Sequence, residues 1–566
     1  MGSDSQTELG TSLPIDIEFG KRFELSDGIA LAADIYYPTE GGPYPVLLMR
    51  QPYGRDIAST VVYAQPSWFA RQGFIVVIQD VRGRGDSEGE FYPFINEGTD
   101  GVETIAWVSS LPNTSGSVYM YGFSYQGSTQ LYAAIHQPAG LRGLAPHMTS
   151  FDLYSGWFYR NGILQLSSTL GWGNQMLRED AARSGDTEIY EELEHSYKGV
   201  PSLTHALPLA EVKPLTDTRA NSYVKDWITH SEYDSYWKQF DCFEHSDKLA
   251  DYPMLHISGW YDFYTRGSID GYKKMAAESP EKHFIIIGPW VHLPWGDQLL
   301  GKRLGAASKL DTDQIMVDWF KAIEAGDPLP SGAKFFVLGR NEWISASSWP
   351  PKESLEKDYF IQSNGNANSR FGDGILTSQF NPETIDSDQF NYDPEVPVCG
   401  PGGSPNGSMT WGPSDLSAQQ QGNNLLCYDL DVGEQLIAGQ PKLTLYVKST
   451  APETIFVARL SKVSSTGSAE FLTLGACRLS DRIDQDDNGV SQIEILLDDI
   501  AVSFNAEDQL RLDISSSAFP LLIRFPNTKT APESVSSPKE FKRAIQFVYH
   551  SSQYSSRLQL PFFNLS

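Results

Sequence analysis

The amino-acid sequence predicts an α/β protein with an all-β C-terminal part: a doubly wound sheet, split by a mostly helical cap insertion and followed by a β-sandwich of jelly-roll type. Three observations carry this. Short apolar runs alternate with helical patterns through residues 1–150, the signature of a sheet covered by helices. Apolar residues take helical spacing from about Phe151 to His245, after which the strand–helix alternation returns. Beyond about Gly332 helical patterns become scarce and short strands recur between turns, as in two-layered β domains. The division is 1–150 and 246–345 for the two parts of the α/β core, 151–245 for the cap and 346–566 for the jelly roll.

The elements follow in order. Ile29 to Tyr37 reads as a strand after the Asp27-Gly28 turn. Tyr44 to Met49 and Phe74 to Asp80 are short apolar runs, of the kind that parallel sheets bury on both faces. Glu97 to Ser110 spaces Val102, Ile105, Ala106 and Val108 as a helix does, and Ser117 to Gly122 is a strand leading into a helix at Ser128 to Ile135. In the insertion, Leu164, Leu166 and Leu170 are spaced helically and Asp186 to Tyr197 is a polar helix. Met254 to Gly259 and His283 to Gly288 are strands joined by a helix from about Gly267 to Ala277, and Asp313 to Ala325 closes the core as a helix. Pro394 to Asn424, rich in Gly, Pro, Ser, Asn and Gln, is a long surface connection between the strands that follow.

The 566 residues carry 43 basic and 71 acidic side chains, a net charge of −28. Such a surface repels phosphate backbones and anionic lipids, so nucleic acid and membranes are not expected partners. Four cysteines without Cys-x-x-Cys spacing form neither a disulfide framework nor a zinc ribbon. Cys399 and Cys427 could pair within one loop-rich segment, although free core or loop residues are the plainer reading. The start, Met1 to Glu8, is polar and acidic, and no apolar run approaches a membrane span. A cytoplasmic enzyme is the simplest expectation, with a homo-oligomer left open.

The sharpest chemical signal is Gly122-Phe123-Ser124-Tyr125-Gln126-Gly127. A serine between a strand and a helix, flanked by small residues, is the setting of a nucleophile elbow. The second glycine comes one place late, with Gln126 at its usual position. A serine hydroxyl is a weak nucleophile and needs a base, which in turn needs an orienting carboxylate. Both follow in the required order, each just past a strand: Asp262 in Gly259-Trp260-Tyr261-Asp262 and His292 in Gly288-Pro289-Trp290-Val291-His292. His256 and His283 lie within strands and suit a core instead. The oxyanion needs donors. The Tyr125 N–H is one, and Tyr53, in the loop Arg50 to Arg55, either supplies a second through its phenol or anchors that loop.

At this point the chain resembles the cocaine-esterase-like serine hydrolases, related to X-Pro dipeptidyl peptidases and α-amino acid ester hydrolases. The resemblance rests on Arg50-Gln51-Pro52-Tyr53-Gly54, on Gln79 to Gly89, on the Ser124 elbow and on the Asp262 and His292 motifs. It continues through Tyr392 to Pro397 and Ser515 to Pro520. It implies an α/β-hydrolase core with a helical cap and a jelly-roll domain, and the Tyr53 phenol as oxyanion donor. It also implies that Trp157 and Trp172, otherwise simply core residues, wall an acyl pocket. The α-amino acid ester branch holds the substrate ammonium with carboxylates at the second and third positions after the triad acid. Here those positions are Tyr264 and Thr265, both neutral, although Asp152 could substitute.

Two other motifs fail. Gly83-Arg84-Gly85-Asp86-Ser87-Glu88-Gly89 has its third glycine one place late for a dinucleotide loop. Asp484 to Ile495 opens like an EF-hand loop but ends in Ile495, not Glu. The sequence therefore predicts a serine hydrolase that needs no metal or other cofactor and acts on small esters with uncharged acyl groups. An amide acylase, an X-Pro dipeptidyl peptidase and an acyltransferase are the enzymatic alternatives, and a non-catalytic carbohydrate binder the alternative from another class.

Overall fold

A computed structural model describes residues 13–564 except 57, 199–202, 217–221, 294, 300–301, 383–384 and 402–411. The polar start Met1 to Glu8 and the middle of the 394–424 connection lie outside the described residues.

Ten strands form the central sheet: β1 (Ile15–Glu24), β2 (Ala30–Pro38), β3 (Tyr44–Gln51), β4 (Ile75–Asp80), β5 (Thr114–Phe123), β6 (Leu141–His147), β7 (Met254–Tyr261), β8 (His283–Val291), β9 (Gly332–Val337) and β10 (Glu342–Ala346). Their order is β1-β2-β4-β3-β5-β6-β7-β8-β9-β10. From β4 to β9 every neighbouring pair is parallel, whereas β1, β2 and β10 pair antiparallel at the edges. The parallel strands explain the continuous apolar runs: β4 and β7 are buried at every position. Alternate residues enter opposite cores, Val46 and Leu48 on one face and Leu47 and Met49 on the other. Helices α2 (Glu97–Val108) and α3 (Tyr125–Ala134) cover the first face with Ile105, Val108 and Leu131. The second face takes Phe69 of α1 (Pro66–Arg71) and Phe320 of the last core helix (Thr312–Ala325).

The insertion carries α4 (Leu166–Ser184), α5 (Thr187–Lys198) and α6 (Tyr223–Thr229). Leu164 belongs not to a helix but to a two-residue hairpin strand paired with Tyr159 and Arg160. The underside of the insertion is aromatic: Trp172 stacks on Trp227, with ring centres 5.0 Å apart, and Phe158 packs on Trp227 and Trp237.

Fourteen strands from Leu355–Gln362 to Arg557–Phe562 form one hydrogen-bonded β network, almost wholly antiparallel. Strands Ile455–Val463 and Ala469–Arg478 are buried along nearly their whole length, while Ser491–Leu496 buries every second residue. The inner strands are thus covered on both sides and the outer ones on one. Buried ion pairs join this part to the rest: Arg160 meets both Asp498 oxygens at 2.5 and 2.9 Å. Asp499 accepts from Lys273 and, at 2.8 Å, from the Trp349 indole. Cys399 and Cys427 are both free.

Candidate active site

Strand β5 ends at Phe123 and α3 begins at Tyr125, so Ser124 is the whole turn between them. Its φ is 60° and its ψ −129°, a backbone that L-residues rarely adopt. The strain is held by contacts on both sides. The Ser124 N–H donates to the carbonyl of His147 at 2.9 Å. The sequence places the helix start at Ser128, but it runs directly from the serine. Glycine spacing follows from packing. A Cβ on Gly122 would lie 2.4 Å from the Gln126 Cβ, and one on Gly127 would lie 2.7 Å from the Thr149 side chain. Gln126 therefore fits because Gly122 makes room for it, and Gly127 is the position that must approach Thr149, just beyond β6, closely.

Asp262 follows β7 and His292 follows β8, two adjacent parallel strands. The His292 Nδ1 and Asp262 Oδ1 are 2.9 Å apart, with Asp262 fully buried and His292 5 % exposed. A carboxylate only accepts, so the proton sits on Nδ1 and Nε2 is left as a base. The other Asp262 oxygen has no hydrogen-bond partner among the described residues, so the imidazole alone is held by this carboxylate. The Tyr264 ring stands edge-on to His292 at 5.1 Å and limits its rotation.

Tyr53 follows β3 and reaches the same cleft, which Ser124, His292, Tyr53, Trp172 and Tyr264 line around a volume of about 270 Å³. The Trp172 indole N–H donates to the Tyr53 oxygen at 3.2 Å, which leaves the phenol proton free to point elsewhere. Burial pushes this phenol up to about 12, and hydrogen bonds from Trp172 and Ser124 offset only part of that. Tyr53 is thus a donor throughout the neutral range. The N–H of Tyr125 is in the first turn of α3, where backbone donors have no partner within the helix. Its side chain is fixed below, donating to Glu97 at 2.7 Å, and Glu97 in turn meets the buried Arg50 at 3.1 Å.

The glycine-rich stretch after β4 serves the Tyr53 loop. Arg55 pairs with Asp34, Asp80 and Asp86 at 2.5 to 2.9 Å. Gly85 crosses so close that a Cβ there would sit 2.0 Å from an Asp80 oxygen. A phosphate would meet that carboxylate, which removes the nucleotide reading. No group of three or more potential metal ligands occurs among the described residues.

The two tryptophans separate. Both are buried, but Trp172 lines the cleft, whereas Trp157 packs behind it, 4.1 Å from the Tyr264 ring and 5.5 Å from that of Trp172. Sequence reasoning missed Val61, Phe123, Gln126, Gln175, Glu179 and Leu293 as cleft residues, and these complete the lining. Helical spacing from Trp172 would have flagged Gln175 and Glu179.

Residues 27–294 match the X-Pro dipeptidyl-peptidase (S15) family, and residues 330–559 match the C-terminal non-catalytic domain of X-Pro dipeptidyl-peptidases. The chain is 30 % identical to the cocaine esterase of Rhodococcus sp. (strain MB1 Bresler), over 95 % of this chain and 97 % of that protein. Among solved structures it superposes on an aminopeptidase from a marine-sediment Thaumarchaeota archaeon with a TM-score of 0.80, at 20 % identity over 99 % of both chains. It superposes on an α-amino acid ester hydrolase with a TM-score of 0.77, at 19 % identity over 99 % of this chain and 100 % of that one. The α/β-hydrolase core, the cap and the β domain agree with both. The chain belongs to the cocaine esterase family of serine hydrolases, with the two-part S15 domain organisation.

Proposed function

We propose that this protein is a serine esterase for small carboxylic esters with uncharged acyl groups, working through an acyl-enzyme. One observation supports it above the others: Ser124, His292 and the Tyr53 phenol line one cleft, and Asp262 holds the imidazole at 2.9 Å. The Ser124 oxygen attacks the ester carbonyl while His292 Nε2 takes its proton. Negative charge on the former carbonyl oxygen falls to the Tyr53 O–H and the Tyr125 N–H. The imidazolium returns its proton to the alcohol, which leaves, and water repeats the sequence to free the acid. Charge on the imidazolium is stabilised by Asp262.

The acyl preference rests on Tyr264 and Thr265, buried and neutral beside the triad acid. An ammonium buried among them without a counter-charge costs several kcal/mol. Ser124, Asp262, His292 and Tyr53 come together within one chain, so catalysis needs no second copy. Four free cysteines among the described residues suit a reducing, cytoplasmic setting. An X-Pro dipeptidyl peptidase, the activity in the family descriptions, would use the same triad, as would an amide acylase or an acyltransferase. One panel of p-nitrophenyl esters, p-nitroanilides and dipeptidyl amides tests the reading on a single preparation. Esters should be cleaved fastest, and X-Pro amides turning over faster than every ester would overturn it.

A further inference from the structure

We propose that a cavity between the cap and the β domain binds a small ammonium ion with a short hydrocarbon tail, its charge facing Glu533. The cavity shares no lining residue with the catalytic cleft and is independent of the esterase reading. Its volume is about 200 Å³, below the roughly 300–1,000 Å³ of sites for larger ligands. The cap supplies Tyr159, Leu164 and Glu232, and the β domain supplies Arg478, Phe525 and Glu533. Backbone hydrogen bonds already join the two walls. The Ile523 N–H donates to the Leu164 carbonyl at 3.0 Å, and the Leu166 N–H to the Leu521 carbonyl at 2.8 Å. The space is therefore formed before anything enters it. Leu164, Ile523 and Phe525 are buried and form an apolar floor, which takes a hydrocarbon tail out of water.

Glu533 stands in this wall without a basic partner. Burial raises its carboxyl, hydrogen bonds from its own backbone and from Ser231 oppose this, and the charge that acts on it is that of Glu232, which raises it further. Arg478 is already engaged. It meets Asp481 through two nitrogens at 3.0 Å and Glu232 at 2.5 and 3.3 Å, and it also acts on Glu453. Three carboxylates thus share one guanidinium, and Glu533 is left over. Lys529, the other basic side chain of the lining, is exposed at the rim, where solvent and salt screen its charge. Counted in full, it still leaves four carboxylates against two cations.

Tyr159 registers the resulting field from within the cavity. Burial pushes its phenol up, and Glu533 and Glu232 push it further. Its hydroxyl is committed to the carbonyls of Trp227 and Ile228 at 2.8 and 3.1 Å, so it cannot serve Glu533 as a donor. A half-buried carboxylate short of counter-charge is costly, and an entering ammonium relieves that cost. The rings of Tyr159 and Phe525 add to the attraction. An anion would meet like charge here, and a neutral molecule of the same shape would gain only the apolar floor.

The test measures binding of n-hexylammonium and of 1-hexanol, its neutral counterpart, to the full chain by isothermal titration calorimetry at pH 7 and low ionic strength. Hexylammonium should bind about tenfold or more tightly than hexanol, and Glu533→Gln should bring the two within about twofold. Glu179→Gln, which removes the carboxylate of the catalytic cleft, should leave the ratio unchanged. Ala531→Lys adds a cation at an exposed position of the cavity lining and does not disturb the core, so it serves even if Glu533→Gln fails to fold. It should weaken hexylammonium by about tenfold and hexanol far less. Equal affinities in the unmodified protein, or a preference that survives Glu533→Gln or Ala531→Lys, would overturn the site. So would a preference lost in Glu179→Gln, since the ion would then sit in the catalytic cleft.

Discussion

The two walls of the cleft are built differently. The wall proposed to be catalytic comes from the ends of β3, β5, β7 and β8, parallel strands whose C-terminal halves are buried at every position. Each of Tyr53, Ser124, Asp262 and His292 sits within two residues of a strand end, so the sheet fixes all four at once. The opposite wall comes from one face of α4, carried by an insertion that contacts the core through rings and through Arg84 and Arg183. Under the proposed mechanism the difference is a division of labour: the strand-built wall would perform the chemistry, and the helical wall would select what reaches it. Trp172 is the link, since its indole touches the Tyr53 phenol.

Ser124→Ala is the hardest test of the catalytic wall. It should lower kcat by at least about four orders of magnitude, because only binding and the oxyanion donors remain. The fold should persist, since one hydroxyl is lost from a turn held by backbone contacts. A variant with a tenth of the original activity would break the comparison at its strongest point. Tyr53→Phe comes next. Loss of one oxyanion donor should cost roughly 10²–10³ in kcat, with little change in KM. A tenfold rise in KM at constant kcat would move Tyr53 to the selecting wall.

The same residue gives a pH signature. Its phenol, raised to about 12, stays protonated above the ordinary tyrosine value of about 10. The donor is therefore retained from neutral pH to about 11 and lost as the pH rises through 12. A fall in kcat centred near pH 10, in enzyme shown by circular dichroism to be folded, would count against this environment.

Smaller effects sharpen the selecting wall. Phenylacetyl esters should exceed phenylglycyl esters of the same alcohol by about tenfold in kcat/KM, since an ammonium next to Tyr264 and Thr265 would be buried without a partner. The reverse order would put a carboxylate within reach of the acyl side. Trp172→Phe keeps an aromatic wall but removes the donor to Tyr53. It should lower kcat less than tenfold, below the cost of losing Tyr53 itself, and raise KM for bulky acyl groups. A loss equal to that of Tyr53→Phe would make the indole part of the oxyanion machinery.

The legibility of the sequence divides along the same line. Parallel strands buried on both faces leave continuous apolar runs, and the residues just beyond them announce themselves as Ser124, Asp262 and His292. The late glycine of the elbow looked irregular because spacing does not show that Gln126 lies against Gly122. The cap was less readable. Leu164 shares its apolar spacing with α4 yet pairs in a hairpin, since short apolar segments do not distinguish the two states. Trp157 and Trp172 look alike in sequence, and only packing tells which of them faces the cleft. Glu179 reads as an ordinary solvated helix residue until α4 is laid across Ser124.

The central claim is that Ser124 carries the acyl group. Intact-protein and peptide mass spectrometry, on enzyme quenched in acid during turnover of a p-nitrophenyl ester, tests it most directly. The account predicts a burst of nitrophenol and the mass of the acyl group on the peptide containing Ser124, both absent from Ser124→Ala. An acyl adduct on another residue, or a full burst from Ser124→Ala, would contradict it.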